Sequence, residues 1–410
     1  MLLSSITKRL LGIVGLILFL SGCATSGGIG GGFGKYSVGP ERDEKLMPDT
    51  APRLDKPFIV VPVFDPNIPE DQDKIIEDAI WPEVRRTEAV RMSVMLGNKL
   101  TETNAFNGVR ITPDTETSAH LYVLGKIVQS NGEELDLKIT VVNIKGEKMF
   151  SKGYNFTVDE YALVDPRSGK EGDLYDPFFT TIANDIAEQV EELSPEERDE
   201  LARVEELRYA EFFESDYAGQ YTETNWMGNV VVTSYPAEND PMIRRIRSLK
   251  VQDQMFIDNL QSDYRNFYII SNPAYVSWQR AAFVETKAAR AARTKANIKA
   301  AVGILALVGG VALASQGNSY DYGQALAGTA IAVGGISAIS GAMGDSKQAD
   351  AHRETLSELG GSLNIEIAPN VMELEETQVE LKGTAKEQYS TWRSALKRVY
   401  EQESVPNIEL

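Results

Sequence analysis

The chain has 410 residues, with 60 acidic side chains against 41 Lys and Arg, and a formal net charge of −19 at pH 7. That balance argues against a nucleic-acid partner, whose phosphates need Lys and Arg for neutralisation. One cysteine excludes an intramolecular disulfide, and two histidines narrow the metal and acid–base schemes open to the protein.

Lys8 and Arg9 precede an apolar run from Leu10 to Leu20, broken only by Gly12 and Gly15. The run suits the hydrophobic region of an export signal and is short for a membrane span. It ends in Leu20-Ser21-Gly22-Cys23, which resembles the bacterial lipobox at all four positions. The resemblance implies that Cys23 takes a diacylglyceryl group, that residues 1–22 are removed, and that the new amine is acylated with a fatty acid such as palmitate. Two or more acyl chains hold a protein stably on a bilayer. Ala24, where an inner-membrane lipoprotein carries Asp, implies an outer-membrane location facing the periplasm.

Residues 23–57 read as a tether, Gly-rich from Thr25 to Gly34 and then polar and Pro-containing. No strand precedes the glycines and no Lys-Ser/Thr closes them, so they do not form a phosphate loop. Residues 58–193 read as a small α/β domain. Phe58 to Phe64 is an apolar, β-branched strand in which Pro62 points to an edge or a bulge. Pro82 to Thr103 is a helix whose Ala89, Val90, Val94, Leu96 and Leu100 recur near a 3.6 period. A short strand, 109–112, follows the Asn107-Gly108 turn. Strands 121–129 and 135–143 flank Asn131-Gly132, a hairpin turn that accepts positive φ. Leu135, Leu137, Ile139 and Val141 alternate with polar residues, so one face is buried. A strand over 148–158 and a helix over 177–193 complete a β-α-β-β-β-β-α order, an α+β class with an antiparallel sheet and helices on one face. In element order this unit resembles the periplasmic domains of the curli-secretion and flagellar-envelope assembly lipoproteins. No residue-level motif accompanies that resemblance, so no functional residue is carried over.

Residues 194–299 read as mainly helical. Ser194-Pro195-Glu196-Glu197 is a capping box, with the helix running to about residue 215. Val230 to Thr233 is a short strand and Met242 to Tyr264 a helix, with helix resuming from about Ala274. Lys287, Arg290, Arg293, Lys295 and Lys299 make its end basic, which fits either pairing with acidic neighbours or contact with anionic lipid head groups.

Residues 300–344 read as an apolar helical hairpin. Small residues repeat every four positions, Ala306, Gly310 and Ala314 in one arm and Ala330, Gly334, Ala338 and Ala342 in the other. Such stripes let helix backbones approach closely. The pattern resembles the glycine zippers of envelope proteins, and it admits either membrane association or burial inside a soluble body or oligomer. Residues 345–410 read as a C-terminal α+β segment: helix to Leu359, strands over 363–368 and 379–382, and a helix from Thr384. One face of that last helix carries Tyr389, Trp392, Leu396, Val399 and Tyr400 and is expected to pack back on the rest.

No catalytic set emerges: Gly-x-Ser-x-Gly and His-Glu-x-x-His are absent, and lipidation consumes the one thiol. His120 and His352 read as surface or capping residues. Glu133-Glu134 and Glu375-Glu376 read as solvated turn residues. Asp159, Glu160 and Asp165 approach a cation site without the Asp-x-Asp-x-Asp-Gly loop. The expectation is a non-enzymatic, cofactor-free, metal-free lipoprotein. It contacts the bilayer through acylated Cys23, and an envelope protein or a second copy of itself by protein contact. Its role is assembly or stabilisation of an envelope structure or secretion apparatus. The alternatives are a channel-like oligomer built on 300–344 and an envelope hydrolase.

Overall fold

Val and Ile content and strict alternation produce the strands of the N-terminal unit, as a computed structural model of the chain displays. It describes residues 34–37, 56–78, 80–159, 173–296, 354–362, 364–374 and 377–404. Six strands form one sheet: β1 Gly34–Ser37, β2 Phe58–Pro62, β3 Gly108–Thr112, β4 Leu121–Ser130, β5 Glu134–Asn143 and β6 Lys148–Thr157, in the order β1-β6-β5-β4-β2-β3. A short helix, α1 (Gln72–Glu77), leads to α2 (Pro82–Thr103), and α3 (Asp176–Glu191) follows the sheet. The fold class is α+β. The run β4-β5-β6 is antiparallel as expected, but β2 pairs in parallel with both β3 and β4, so the sheet is mixed.

Leu121, Val123, Ile127, Leu135, Leu137, Ile139 and Val141 all lie fully buried on one face. Across that face α2 and α3 pack side by side. The Phe178 ring of α3 stacks on Phe156 of β6, with ring centres 5.0 Å apart. Pro62 does not mark an edge. It closes the central strand β2 beyond Ile59 and Val60, the residues paired with β4, so its missing N–H costs no bond in that ladder. Residues 63–65 then fold against β4: Asp65 donates to the Gly125 carbonyl and accepts from Ile127. The Phe64 ring fills the space where a Cβ at Gly125 would stand, 2.5 Å away. Gly34–Ser37, expected within the tether, adds to β6 as a parallel edge strand.

The rest is built around one helix. After α4 (Pro195–Phe213), the single turn α5 (Ser215–Ala218) and the hairpin β7 (Thr222–Thr224)–β8 (Val230–Val232), helix α6 runs from Pro241 to Ala296. At 1.5 Å per residue its 56 residues span about 84 Å. The interruption expected between Tyr264 and Ala274 does not occur, because Pro273 is accommodated within the helix. Residues 354–359 form α7, and the hairpin β9 (Asn370–Leu374)–β10 (Thr377–Leu381) leads to α8 (Ala385–Ser404). The strand expected over 363–368 is displaced to 370–374, a closer partner for β10; Glu366 makes only an isolated bridge to Thr384. The expected capping box of Ser194 and Glu197 is formed, and Thr384 forms a second one with Glu387. As expected, α8 packs back through Tyr389, Trp392, Leu396, Val399 and Tyr400, with Phe256 of α6 stacked on both Tyr389 and Trp392.

Along its length α6 closes the α/β unit. Gln261 donates to the Ile111 carbonyl and accepts from the Ile111 N–H, both at 2.9 Å, so a side-chain amide stands in for the next strand at the β3 edge. An edge paired in this way offers no template for aggregation. Farther along, the β4–β5 turn seats on α6. Gly132 has φ +84°, and a Cβ there would lie 2.6 Å from the Phe283 nitrogen. The turn is held by Thr286, which donates to the Asn131 carbonyl, and by Arg290, which pairs with Glu133. Glu133 is therefore buried and paired, not a solvated turn residue, and Arg290 of the basic helix end meets an acidic neighbour.

Candidate functional site

Two polar clusters lie buried beneath α6. The first joins α2, α6 and the segment before α3. The Arg91 guanidinium lies between the rings of Tyr268 and Tyr275, 4.4 and 4.3 Å from their centres. It donates to the Tyr268 carbonyl (3.0 Å), Ser271 Oγ (2.9 Å), Asp173 Oδ2 (3.0 Å) and Asn272 Oδ1 (2.8 Å). Three of these acceptors, on Tyr268, Ser271 and Asn272, sit in the turn before Pro273, where the proline ring removes a helix donor. A planar, always-charged fork suits stacking and several acceptors at once. The other oxygen of Asp173 accepts from Gln279 and from the Tyr175 N–H, both at 3.0 Å. One turn earlier on α2, Glu88 accepts from Ser130 Oγ (2.5 Å) and the Tyr275 hydroxyl (3.0 Å) and faces Arg85 at 3.3 Å. Burial raises the Glu88 carboxyl above the usual carboxylate range, against the pull of Arg85 and the two hydroxyls. Both carboxylates here are paired at each oxygen, while Arg91 Nε and Arg85 Nη1 lack partners, and the cluster fixes helices to one another.

The second cluster joins α4, α6, α8 and the residues before β4. Asp253 of α6 is 3 % exposed. Its Oδ2 accepts from the Tyr389 hydroxyl at 3.3 Å. The Tyr209 hydroxyl lies near enough to lower the proton affinity of the carboxyl, without the alignment of a full hydrogen bond to Oδ1. Arg393 of α8 lies 3.8 Å from the Phe212 ring centre and donates to the Glu116 carbonyl. Lys250 pairs with the buried Glu205. Burial is the dominant influence on Asp253 and pushes its carboxyl up to about 6, opposed by Arg393, Tyr389 and Tyr209. Chemically, such a group exchanges a proton near neutrality and accepts hydrogen bonds in either state.

Beside Asp253 opens a cavity of about 190 Å³, lined among others by Phe58, Asn107, Thr117, Ser118, Tyr209 and Gln254. His120 bonds to Phe58, one of the lining residues. Its Nδ1 accepts the Phe58 N–H at 3.0 Å, and the His120 backbone N–H donates to the Phe58 carbonyl. His120 is therefore a largely buried strand connector, not a surface residue, and burial lowers its pKa.

Sequence reasoning did not single out Asp253, Tyr209, Thr117 or Arg393, which come from four separated segments. One signal was present: Asp253 occupies the apolar stripe of α6 made by Ile246, Leu249, Phe256, Ile257 and Leu260. Cys23, the stripe residues Ala306, Gly310, Ala314, Ala330, Gly334, Ala338 and Ala342, and also Glu160, Asp165, His352, Glu375 and Glu376 lie outside the described residues. Among the described residues no helix is long and apolar enough to cross a membrane, and no three His, Cys, Asp or Glu side chains are grouped to hold a metal ion. No family model matches the chain, and no curated protein or solved structure is significantly similar to it.

Proposed function

We propose that the protein is a non-enzymatic outer-membrane lipoprotein, anchored through acylated Cys23, that helps to assemble or stabilise an envelope structure. The observation that carries this reading is the course of α6. The helix is fixed by Arg91, Gln261 and the β4–β5 turn, and it continues to Ala296, a few residues before the small-residue segment 300–344. A strut of this kind ties whatever that segment contacts, bilayer or protein, to the α/β unit. The α/β unit then presents its surface to an envelope partner or a second copy.

The test uses wild type and a Cys23→Ala chain exported by an ordinary cleavable signal. Membranes are separated, washed in alkaline carbonate, and the detergent extract is sized. Wild type is expected with outer membranes and in an oligomer or complex, and Cys23→Ala in the soluble periplasm. Wild type in the soluble fraction, or a strict monomer without a partner, overturns the reading. Cys23→Ala retained in the washed pellet replaces lipid anchoring by insertion of residues 300–344 and favours a channel-like oligomer.

A further inference from the structure

We infer that the tip of the β7–β8 hairpin docks in the groove beside it on a second copy of this chain. This rests on the assembly reading above and gives it a specific self-contact. At the tip, Trp226 is 92 % exposed and Met227 60 %. The turn holds both outward. Asn225 Oδ1 accepts from the Met227 and Asn229 N–H groups at 2.9 and 3.0 Å, and Gly228 takes φ +85°. The hairpin is fastened to the β5–β6 turn, where the Val230 N–H donates to the Lys145 carbonyl at 2.9 Å. Trp and Met are enriched at protein interfaces, Trp leads among the residues that carry binding energy, and a side chain already held in place loses little freedom on docking.

The groove lies on the outer face of the sheet. Val123 and Val141 are buried beneath α2 and α3, so Tyr122, Leu124 and Val142 point the other way, where they are only half-buried. Between α4 and the hairpin they line two hollows of about 340 and 360 Å³, which share Tyr122, Ile144 and Arg208 and so form one groove. Each hollow is more than twice the roughly 150 Å³ that accommodates a benzene ring. Thr224, Gly228 and Val230 of the hairpin wall the first hollow, yet Trp226 of the same copy stays outside it.

Charge selects the occupant. Glu223 is the one charged residue from Tyr221 to Thr233; it is exposed and stands opposite the exposed Val231. The charged residues lining the first hollow are Lys145 and Arg208, both cationic. Lys145 pairs with Glu147 and Glu200, and Arg208 with Glu211 at the solvent-exposed rim. A guanidinium paired at its edge still presents its face to an aromatic ring. An acidic, aromatic knob thus stands beside a cation-lined, apolar-floored hole on one face of the molecule. A two-fold axis places the knob of each copy in the hole of the other, which is the condition for a closed dimer contact. The carboxylate beside Trp226 disfavours an anionic lipid surface as the occupant.

The experiment follows tryptophan emission, acrylamide quenching and sedimentation of the full-length chain in detergent as protein is diluted. Of the four tryptophans, Trp278 and Trp392 are buried and Trp81 is partly buried, so Trp226 dominates any change. Dilution is expected to shift emission to the red and to raise quenching as the dimer dissociates, with a Kd of about 1–100 µM for so small a contact. Trp226→Ala is expected to abolish both the optical change and the association, and Arg208→Glu to weaken association about tenfold or more. Mixing the two variants is expected to restore the emission shift, because the tip of Arg208→Glu meets the intact groove of Trp226→Ala. Thermal unfolding in parallel shows that each variant is folded. Association undiminished in folded Trp226→Ala overturns this self-contact and leaves the assembly reading standing on another surface, as does a chain that never self-associates yet is recovered in a complex with another envelope protein. A mixture that restores nothing overturns the seating of the tip in the groove. Emission that follows detergent concentration at constant protein overturns the inference in favour of a lipid-facing tip.

Discussion

The two buried clusters under α6 solve the same problem in opposite ways. Around Arg91, the two carboxylates Asp173 and Glu88 are buried with both oxygens of each paired, beside the guanidiniums of Arg91 and Arg85, each of which leaves one nitrogen without a partner. Around Asp253, a carboxyl is buried nearly as deeply, yet one of its oxygens and three nearby hydroxyls lack aligned partners. Buried ionic groups are destabilising unless fully paired. The first cluster is thus a fastening that fixes α6 to α2, and the second is a polarity that the packing alone does not require. The contrast teaches that burial depth alone does not distinguish the two clusters; the pairing of their carboxylates does.

The largest effect that sharpens this contrast is expected at Arg91. Arg91→Met leaves Asp173 buried beside unpaired helix carbonyls and removes the stack between Tyr268 and Tyr275. A loss of about 3–5 kcal/mol is expected from urea unfolding. A loss below about 1 kcal/mol would break the description of this cluster as a fastening. Next comes the seat of the β4–β5 turn on α6. Gly132→Ala imposes a Cβ on a left-handed backbone and against the α6 backbone at once. Destabilisation of about 2–4 kcal/mol is expected, with faster hydrogen exchange in the turn.

The smallest effect concerns His120. Its Nδ1 accepts the Phe58 N–H only while it is unprotonated, and burial lowers its pKa. The folded state therefore binds this proton less readily than the unfolded chain. The contribution is fully present above the unfolded value of about 6.5 and is lost as pH falls through the lower folded value. His120→Asn keeps an acceptor near the position of Nδ1 without the titration. Its stability is expected to fall less than that of wild type between pH 7 and pH 5, by about 1 kcal/mol. Equal slopes for the two proteins would remove His120 from the account.

Much of the fold was legible because local signals were strong and agreed. Asn131-Gly132 specified the hairpin turn, Leu135 to Val141 specified its buried face, and Ser194–Glu197 specified a helix start. The mixed character of the sheet was not legible. Parallel pairing of β2 depends on α2 returning the chain beside it, which periodicity does not encode. Continuity of α6 through Pro273 was hidden for a similar reason. A proline within a helix argues for a break unless distant contacts hold the turn around it, and here Arg91, 182 residues earlier, bonds to Tyr268, Ser271 and Asn272 just before the proline. The second cluster was illegible except at Asp253, since Thr117, Tyr209, Asp253 and Arg393 come together only once three helices have packed.

The claim that the second cluster is polar beyond what stability requires is tested most directly by urea unfolding of Asp253→Asn against wild type at pH 8 and pH 4. The raised folded pKa, about 6, means that the folded state favours the protonated carboxyl. That contribution is fully present below the unfolded value of about 4 and is lost as pH rises through 6. Asp253→Asn is therefore expected to be more stable than wild type by about 2 kcal/mol at pH 8 and about equal to it at pH 4. A variant less stable than wild type at pH 8 would mean that the ionised carboxylate is as well paired as Arg91, and the contrast between the two clusters would fail.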